Sequence, residues 1–499
     1  MVYRSILCAA GVLVAAYAVP QNASNGGQLP TVQFRNPAVQ AAIGVPFENA
    51  VKNLLTINVV PYDSATYNRT GLLSGGLFIR AGGGYSQPWT RDAAINSWNA
   101  ASLFAPDIAR NTLWAATKLD ESGEPIVQRD SQWWDKVIWI VGAWNHYLVT
   151  GDRPFLSAAY GVSARLLKEM RTSRYDEEFG LFRGPSFFND GIAGYPSPPA
   201  DPQDGGSSFV LDHPGTDRIM TLSTNCLYVG AYTAAEAMSR ELGDEDAEWG
   251  RLAKQLKDSI NRRLWTPSRK TYGYFLDGAG HVDGSQEGAG LALAVLFGVA
   301  RPNEWKGLIE SAHIEPFGVT DVYPAFPRYS DDRPGRHNAI VWPMILGMWS
   351  RAAVHAGLLD VFQRQVSLLA TLSKGSDGHF FEIYNARTGA VDGGWQNNHH
   401  WDSAPDQTWS ATAYISMITD GLFGLRFAPD GLYFSPMVPP GWGDVTLAGV
   451  HYRQGTFTIH LSGKQSSSWR VSVDGKPLRR GAPVPTNLVG DHRIDVVGR

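Results

Sequence analysis

The chain has 499 residues, and its 43 Lys and Arg against 47 Asp and Glu give a formal net charge of −4 when histidine is neutral. This near-balance argues against a nucleic-acid partner, because phosphate binding needs a basic surface. A hydrophobic fraction of 43% and a charged fraction of 18% exclude a disordered chain. The 17 tryptophans indicate either an aromatic core or flat platforms of the kind that stack on sugar rings.

The first residues have the pattern of an export signal. Arg4 supplies the positive charge, residues 6–16 form a short apolar run, and Ala-Tyr-Ala at 16–18 is an A-x-A cleavage site. We therefore expect residues 1–18 to be a signal peptide and the protein to be secreted and extracellular. No later apolar run is long enough to span a bilayer, so no membrane partner is expected.

The stretch after the signal is predicted to be a leader and N-terminal segment over residues 19–75. Residues 20–37 are rich in Asn, Gly, Gln and Pro and lack periodicity, so we expect them to be poorly ordered. Asn22 and Asn68 begin sequons and are candidate glycan acceptors. Because Cys8 would leave with the signal, Cys226 would remain alone, and no intrachain disulfide is expected.

From about residue 93 onward, stretches with helical apolar spacing come in pairs. The predicted helices cover residues 95–103, 108–119, 133–148, 155–170, 226–242, 249–264, 289–299, 305–312, 340–356, 361–372 and 409–423. No run of alternating strands divides them, which argues against a βαβ fold. Repeated antiparallel helix pairs of this size favour an α/α toroid, here over residues 76–428.

The pattern changes after residue 423. The segments 432–434, 445–447, 456–461, 469–473 and 494–497 alternate or are β-branched, and turn residues such as Asp474-Gly475 separate them. A small all-β domain is therefore predicted over residues 429–499. It has few acidic or histidine residues outside its turns, so we do not expect it to carry the chemistry alone.

Two loops that precede predicted helices concentrate Trp, Arg and Asp, and loops of this kind are where chemistry is expected. Their candidate binding residues are Trp89, Arg91, Asp92, Trp133, Trp134 and Asp135. In the first loop, a Trp to stack and an Arg and Asp to bond vicinal hydroxyls suit a sugar ring, although the Asp could also cap the helix. In the second loop, core packing of the tryptophans is as well supported as a binding role.

Two acidic residues stand among aromatic neighbours further along the chain. Asp190 lies in Phe-Phe-Asn-Asp-Gly, and an apolar setting raises the pKa of a carboxyl, as a general acid requires. The same letters also form a turn, which is the alternative. Glu382 follows two phenylalanines in a short extended run, and a buried Glu without a task is uncommon, which favours a functional role.

Residues 393–402 could line the same cavity. Trp395 and Gln396 are the binding candidates of this segment. His399 and His400 are adjacent and would point apart on a strand, so they make a poor metal pair. We expect neither a metal nor a cofactor.

Two carboxylates far apart in sequence, each in an aromatic loop, fit glycoside hydrolysis. One acid protonates the leaving oxygen, and one base activates water or attacks. The sequence has no Gly-x-Ser-x-Gly elbow, no phosphate-cradling glycine loop and no His-Glu-x-x-His helix. The expected partner is an oligosaccharide or glycoside substrate, bound by a monomer.

Five segments, taken in order, resemble the six-hairpin glycosidase superfamily. They are Trp-Thr-Arg-Asp at 89–92, the Asp-Gly loop at 190, Val-Trp-Pro at 341–343, Phe-Glu-Ile-Tyr-Asn-Ala-Arg-Thr-Gly at 381–389, and Gln-Thr-Trp-Ser-Ala at 407–411. Within the superfamily, the chain most resembles family 63 glycoside hydrolases over roughly residues 75–435. That family includes processing α-glucosidases and mannosylglycerate hydrolases.

The resemblance implies a mainly α fold, an (α/α)6 toroid barrel with a small C-terminal all-β domain. It also implies an exo-acting, inverting enzyme that cleaves α-linked glucosides or related oligosaccharides, with Asp190 as general acid and Glu382 as general base. Many members place Glu-Ser-Gly-x-Asp at the acid, whereas this chain has Phe-Phe-Asn-Asp-Gly. Family motifs and loops together assign the substrate-binding residues Trp89, Arg91, Asp92, Trp133, Trp134, Asp135, Trp342, Trp395, Gln396 and Trp409.

Three alternatives remain open at this point. An α-L-rhamnosidase would share the late Gln-Thr-Trp-Ser-Ala segment, and only a substrate panel separates it from a glucosidase. A polysaccharide lyase also uses α/α toroids, but it needs a Tyr or His base and a basic site. A non-catalytic carbohydrate-binding protein would keep the tryptophans and tolerate loss of Asp190 and Glu382.

Overall fold

The computed structural model describes residues 29–61, 76–127, 132–196, 206–244 and 248–498. The predicted signal peptide, both sequons and residues 129–131 lie outside the described residues. Among the described residues, no helix combines the length and the apolar character that crossing a bilayer requires. Cys226 is buried and unpaired.

Fourteen α-helices run through the described residues. They are α1 (Pro37–Val39), α2 (Val45–Lys52), α3 (Thr90–Asn96), α4 (Ser102–Phe104), α5 (Pro106–Ala115), α6 (Ile138–Thr150), α7 (Arg153–Arg174), α8 (Leu222–Leu242), α9 (Glu248–Arg263), α10 (Gly288–Leu296), α11 (Pro302–Glu310), α12 (Pro343–His355), α13 (Leu359–Gly375) and α14 (Thr408–Ser416). Shorter helical turns of π or 3-10 type cover Gln40–Gly44, Asn53–Ile57, Ser97–Ala101, Ile192–Gly194, Val210–Asp212 and Met417–Leu422. The predicted mainly helical region is confirmed.

Six of these helices make a closed cycle of contacts. Along the cycle, α3 packs against α6, α6 against α8, α8 against α10, α10 against α12, α12 against α14, and α14 against α3. Between them in the chain come α5, α7, α9, α11 and α13, each of which packs against at least one member of the cycle. The cycle helices α10 and α14 are buried almost all round, whereas α9 buries one face only. Helices that are apolar on all sides belong inside a fold, and amphipathic ones outside it.

Strands are short except near the C-terminus. They are β1 (Thr31–Phe34), β2 (Val59–Pro61), β3 (Leu77–Ile79), β4 (Thr117–Leu119), β5 (Pro125–Val127), β6 (Tyr175–Asp176), β7 (Leu181–Phe182), β8 (Met220–Thr221), β9 (Trp265–Thr266), β10 (Thr271–Tyr272), β11 (Phe275–Leu276), β12 (Val282–Asp283), β13 (Gln286–Glu287), β14 (Val322–Tyr323), β15 (Trp395–Gln396), β16 (His399–His400), β17 (Leu425–Ala428), β18 (Gly431–Phe434), β19 (Val445–Tyr452), β20 (Gln454–Ser462), β21 (Trp469–Val473), β22 (Lys476–Pro477) and β23 (Val489–Gly498).

Five C-terminal strands and β1 form one six-stranded sheet in the order β1-β19-β20-β23-β21-β22, while β17 and β18 pair separately. A tight turn joins β19 to β20, with Tyr452 opposite Gly455, while β23 runs parallel to β20. Buried residues alternate along β19 and β20, as expected for a sheet with one face on a core. The predicted sheet-rich C-terminal region is confirmed.

The prediction that residues 20–37 are poorly ordered is wrong for their last part. Residues 31–34 form β1, which pairs antiparallel with β19, Thr31 lying opposite Ala448 and Phe34 opposite Val445. Val32 and Phe34 are buried at alternate positions. A four-residue alternation is too short to stand out in a sequence rich in turn residues, and its partner lies more than 400 residues away.

Two predicted helix boundaries also need correction. The helix predicted from residue 133 begins at Ile138, because residues 133–137 form turns in which Ile138 N donates to Asp135 O at 3.1 Å. The helix predicted over 108–119 ends at Ala115, and residues 117–119 form β4, which pairs with β5. In the first case the buried Trp134 and Val137 continued the apparent helical period beyond the helix, and in the second case Leu119 did so although it is exposed.

Residues 31–61 are an integral part of the fold. α2 packs against α14, and Phe47 of α2 is fully buried with its ring edge-on to Phe104 at 6.3 Å. We expect Phe47→Ala to lower the free energy of unfolding by about 3–5 kcal/mol, because it removes a buried aromatic ring and leaves a cavity. Denaturant titration measures this, with the exposed Lys52→Ala as control. An equal effect of the two substitutions would contradict the packing described.

Candidate active site

The N-terminal ends of three cycle helices face a common pocket. Trp89 comes directly before α3, Trp342 directly before α12 and Gln407 directly before α14. The pocket has a volume of about 170 Å³. Its lining consists of Tyr85, Trp89, Arg91, Asp92, Gln132, Phe188, Asp190, Arg336, His337, Trp342, Glu382, Gln407 and Trp409. The two predicted carboxylates, Asp190 and Glu382, therefore meet in one cavity although 192 positions (382 − 190) separate them in sequence.

Asp190 is held by three donors on two sides. Arg91 Nη2 lies 3.0 Å and Gln132 Nε2 lies 3.1 Å from Asp190 Oδ2, while His337 Nε2 lies 3.4 Å from Oδ1. Arg91 is itself fixed by the buried Asp135, whose Oδ2 lies 3.1 Å from Arg91 Nε. The side chain of Asp190 is 32% exposed, so the carboxylate stays accessible from the pocket.

The predicted rise in the pKa of Asp190 is wrong. Burial does raise its pKa, but the charges and hydrogen bonds of Arg91 and His337 outweigh burial and hold the pKa below its ordinary value. The sequence shows the phenylalanines beside Asp190. Its two cationic partners, Arg91 and His337, lie about 100 and 150 positions away in the chain. In this arrangement Asp190 is an anion at neutral pH.

Glu382 is fixed through both of its oxygens. Arg336 Nη2 donates to Oε2 at 2.8 Å, and the hydroxyl of Tyr85 donates to Oε1 at 3.1 Å. The side chain is buried, and its backbone N–H donates to Ala404 O at 2.9 Å. Burial and the charge of Glu382 raise the pKa of Tyr85, which keeps that hydroxyl a donor. Two donors on separate oxygens hold the carboxylate plane in one orientation.

Asp92 is the third carboxyl group of the pocket. It lies inside the first turn of α3 and not at the position that precedes the helix, which is Trp89. Burial raises the pKa of Asp92 to about 8; the charge of Arg91 offsets only part of this, and Glu382 adds to it. Gln407 Nε2 donates to Asp92 Oδ1 at 3.2 Å. Asp92 therefore carries a proton at neutral pH and can donate as well as accept hydrogen bonds.

Aromatic rings form the walls. Trp342 and Trp409 meet edge to face at 5.8 Å, and the ring of His337 stacks on Trp342 at 4.9 Å. Within the described part of the chain, the buried indole N–H of Trp409 has no hydrogen-bond partner. A buried donor left unsatisfied is costly, so a hydroxyl-bearing ligand in the pocket would gain from meeting it.

Five predicted binding residues do not line the pocket: Trp133, Trp134, Asp135, Trp395 and Gln396. Trp133 and Trp134 pack edge to face at 5.3 Å, and Trp134 belongs to a buried hydrophobic cluster that Trp133 packs against, which agrees with the core-packing alternative. Asp135 acts through its ion pair with Arg91.

The other two of these residues support the loops around the pocket. Gln396 Oε1 accepts from Ala193 N at 3.0 Å, which links β15 to the loop that carries Asp190. The ring of Trp395 lies under the guanidinium of Arg333 at 4.6 Å. His399 and His400 form β16, and His400 Nε2 lies 2.9 Å from Asp392 Oδ1.

Sequence reasoning missed Arg336 and His337. They lie in an irregular segment before α12, and no motif contains them. The available signal was weak: two adjacent basic residues five positions before the Val-Trp-Pro segment. Their importance follows from what they touch, since one holds Glu382 and the other Asp190.

Comparison with solved structures shows the fold. A sialidase matches with a TM-score of 0.63 and 15% identity. The match covers 85% of this chain and 37% of the sialidase chain. The family 78 rhamnosidase of Bacillus sp. GL1 matches with a TM-score of 0.53 and 13% identity, over 87% of this chain and 41% of its own. This chain therefore spans less than half the length of these two proteins.

The family 63 mannosylglycerate hydrolase from Thermus thermophilus, in complex with glucose, is similar over nearly its whole length. The TM-score is 0.53 at 14% identity, and the match covers 75% of this chain and 99% of that one. No protein of curated function matches the chain in sequence.

A family match gives the identity. The sequence pattern of the mannosylglycerate hydrolase MGH1-like glycoside hydrolase domain matches residues 85–410, which is well over half of the chain and includes every residue that lines the pocket. This family match excludes the polysaccharide lyase and the non-catalytic carbohydrate-binding protein as alternatives. The chain belongs to the MGH1-like glycoside hydrolase family, and it is a glycosidase.

Proposed function

We propose that this glycosidase is an exo-acting, inverting enzyme that cleaves α-linked glucosides or related oligosaccharides. The observation that carries the proposal is that Asp190 and Glu382 line the same pocket and that separate hydrogen-bond donors hold each of them. An inverting glycosidase needs two carboxyl groups: one beside the scissile bond that protonates the leaving oxygen, and one that activates water.

The roles follow from the partners of the two groups. Glu382 is kept in place by Arg336 and Tyr85, which suits a base that must receive a proton from a water at a fixed position. Asp190 is the more exposed of the two, which suits contact with the leaving oxygen of a bound substrate.

The proposed scaffold is an (α/α)6 barrel. The closed cycle α3, α6, α8, α10, α12, α14 supports it, as does the alternation of these helices with outer ones along the chain. The pocket lies where helices of the cycle begin, so loop residues can converge on it from several directions.

The size and lining of the pocket support attack at a chain end. A cavity of about 170 Å³ with tryptophan walls suits one terminal sugar ring better than the middle of a polymer. Arg91 and Asp92 stand where they can bond the hydroxyls of that ring. The preference for α-glucosides rests on the resemblance of the motifs at 89–92 and 381–389 to those of family 63 enzymes.

A substrate panel tests the proposal. We expect the wild type to hydrolyse one or more of α-glucosides, trehalose, mannosylglycerate and α-rhamnosides, and NMR to show first release of the anomer opposite to that of the substrate. Cleavage of rhamnosides alone would move the assignment to the rhamnosidase alternative. Release of the retained anomer would contradict the roles given to the two carboxylates.

Export is part of the same proposal. The charged, apolar and A-x-A segments of residues 1–18 support secretion. N-terminal sequencing of the protein purified from culture medium is expected to begin at Val19.

A further inference from the structure

Asp190, the general acid of the proposed mechanism, needs a source for the proton that it delivers. A general acid must deliver a proton to the leaving oxygen, yet Asp190 lies between cationic groups that favour its anion. The proton has to come from a group that touches Asp190. Of its three polar partners, Arg91 holds its proton too tightly and the amide of Gln132 does not ionise, which leaves His337.

The surroundings of His337 suit a proton store. The ring is buried, with Nε2 at 3.4 Å from Asp190 Oδ1. On its other side Nδ1 lies 3.1 Å from Asn189 Oδ1 and 3.7 Å from Asp321 Oδ2. Acceptors at both nitrogens are satisfied only by the doubly protonated ring. Stacking on Trp342 at 4.9 Å fixes its plane.

The charges around this ring favour the same state. Asp190 and Asp321 face its two nitrogens, while Arg336 is its chain neighbour and Arg91 stands behind Asp190. Burial lowers the pKa of His337, but the hydrogen bonds and charges of the two aspartates outweigh burial and raise it. Asp321 is wholly buried, so its charge is poorly screened by solvent.

We propose that His337 is the residue that supplies the proton for the general acid, held ready between Asp190 and Asp321. This inference rests on the proposed hydrolysis. The proton moves from His337 Nε2 to Asp190 Oδ1 and on to the glycosidic oxygen, which takes the electron pair of the breaking bond. Glu382 removes a proton from the water whose oxygen forms the new bond. Afterwards Glu382 releases its proton to solvent, and His337 takes up a proton from solvent.

Leaving-group dependence tests this role. A substrate with a good leaving group, such as the glycosyl fluoride of the sugar that the wild type cleaves, needs little protonation. A disaccharide or alkyl glycoside needs it fully. We expect His337→Gln to lower kcat/KM by about 10²-fold for the alkyl glycoside and by less than tenfold for the fluoride. The exposed His281→Gln is the matched control and should change neither value.

Several outcomes separate failure of this inference from failure of the proposed function. If the wild type shows no hydrolysis, or if Asp190→Asn shows no dependence on the leaving group, the proposed function has failed. If Asp190→Asn shows that dependence while folded His337→Gln loses equally on both substrates, only the proton role of His337 is overturned.

A second variant covers the case in which His337→Gln does not fold. Asp321→Asn removes a buried charge that raises the pKa of His337, so the protonated ring should be lost at a lower pH. We expect the alkaline limb of the kcat profile for the alkyl glycoside to move to lower pH. The profile for the glycosyl fluoride should stay in place. An unmoved alkaline limb for the alkyl glycoside would overturn the proposal.

Discussion

Glu382→Gln is expected to lower kcat by about 10²–10⁴-fold on every substrate that the wild type cleaves. The glutamine matches the glutamate in size and can still accept from Tyr85, but it cannot take a proton from water. Because base removal affects attack and not departure, the loss should be similar for alkyl glycosides and for glycosyl fluorides. Steady-state kinetics with both substrates measures it.

The fold should survive this substitution. Arg336 keeps its bond to Gly393 O at 2.9 Å, although it loses the carboxylate at 2.8 Å. The matched control is Glu121→Gln, at an exposed glutamate that is not among the pocket-lining residues, and it should leave kcat unchanged. A folded Glu382→Gln variant with more than a tenth of wild-type activity would remove Glu382 from the base role.

Asp190→Asn is expected to lower kcat/KM by a similar factor of about 10²–10⁴, but only for substrates with poor leaving groups. The asparagine cannot relay a proton to the leaving oxygen, so an alkyl glycoside should be nearly inert. The fluoride ion of a glycosyl fluoride departs without protonation, so the variant should cleave this substrate at a rate within about tenfold of the wild-type rate. Hydrolysis of the two substrates by the same variant gives the comparison.

Stability should change little in this variant, because Arg91 keeps its ion pair with Asp135 at 3.1 Å and its bond to Phe188 O at 2.7 Å. The exposed Asp212→Asn serves as the control. Equal losses on both substrates would mean that Asp190 shapes the pocket without acting as the acid. The two carboxylate variants therefore differ in how the loss of activity depends on the leaving group.

Local pattern was enough to predict most of the fold. Leu252, Leu256 and Ile260 repeat at helical spacing and lie buried on one face of α9. In the same way, alternation predicted residues 456–461 to be extended, and they lie within β20. Both signals come from burial on one side of a regular element, and that periodicity is written into the sequence itself.

The parts that could not be predicted depend on distant partners. β1 is a strand because β19 lies beside it, and nothing within residues 31–34 reveals that neighbour. The pKa of Asp190 goes down instead of up because Arg91 and His337 reach it from other loops. Aromatic letters near an acid predict burial, but the sign of a pKa shift depends on charges that only the fold brings close.

The pairing of β1 with β19 joins the N-terminal part of the described residues to the C-terminal sheet. The sheet also touches the helical region, since α4 and α6 contact β19 and Arg453 N donates to Val149 O at 2.7 Å. A fragment cut at residue 428 would strip β1 of its partner and uncover Val32 and Phe34. Removal of the C-terminal sheet is therefore expected to destabilise the helical region as well, so truncation from that side is a poor route to a smaller enzyme.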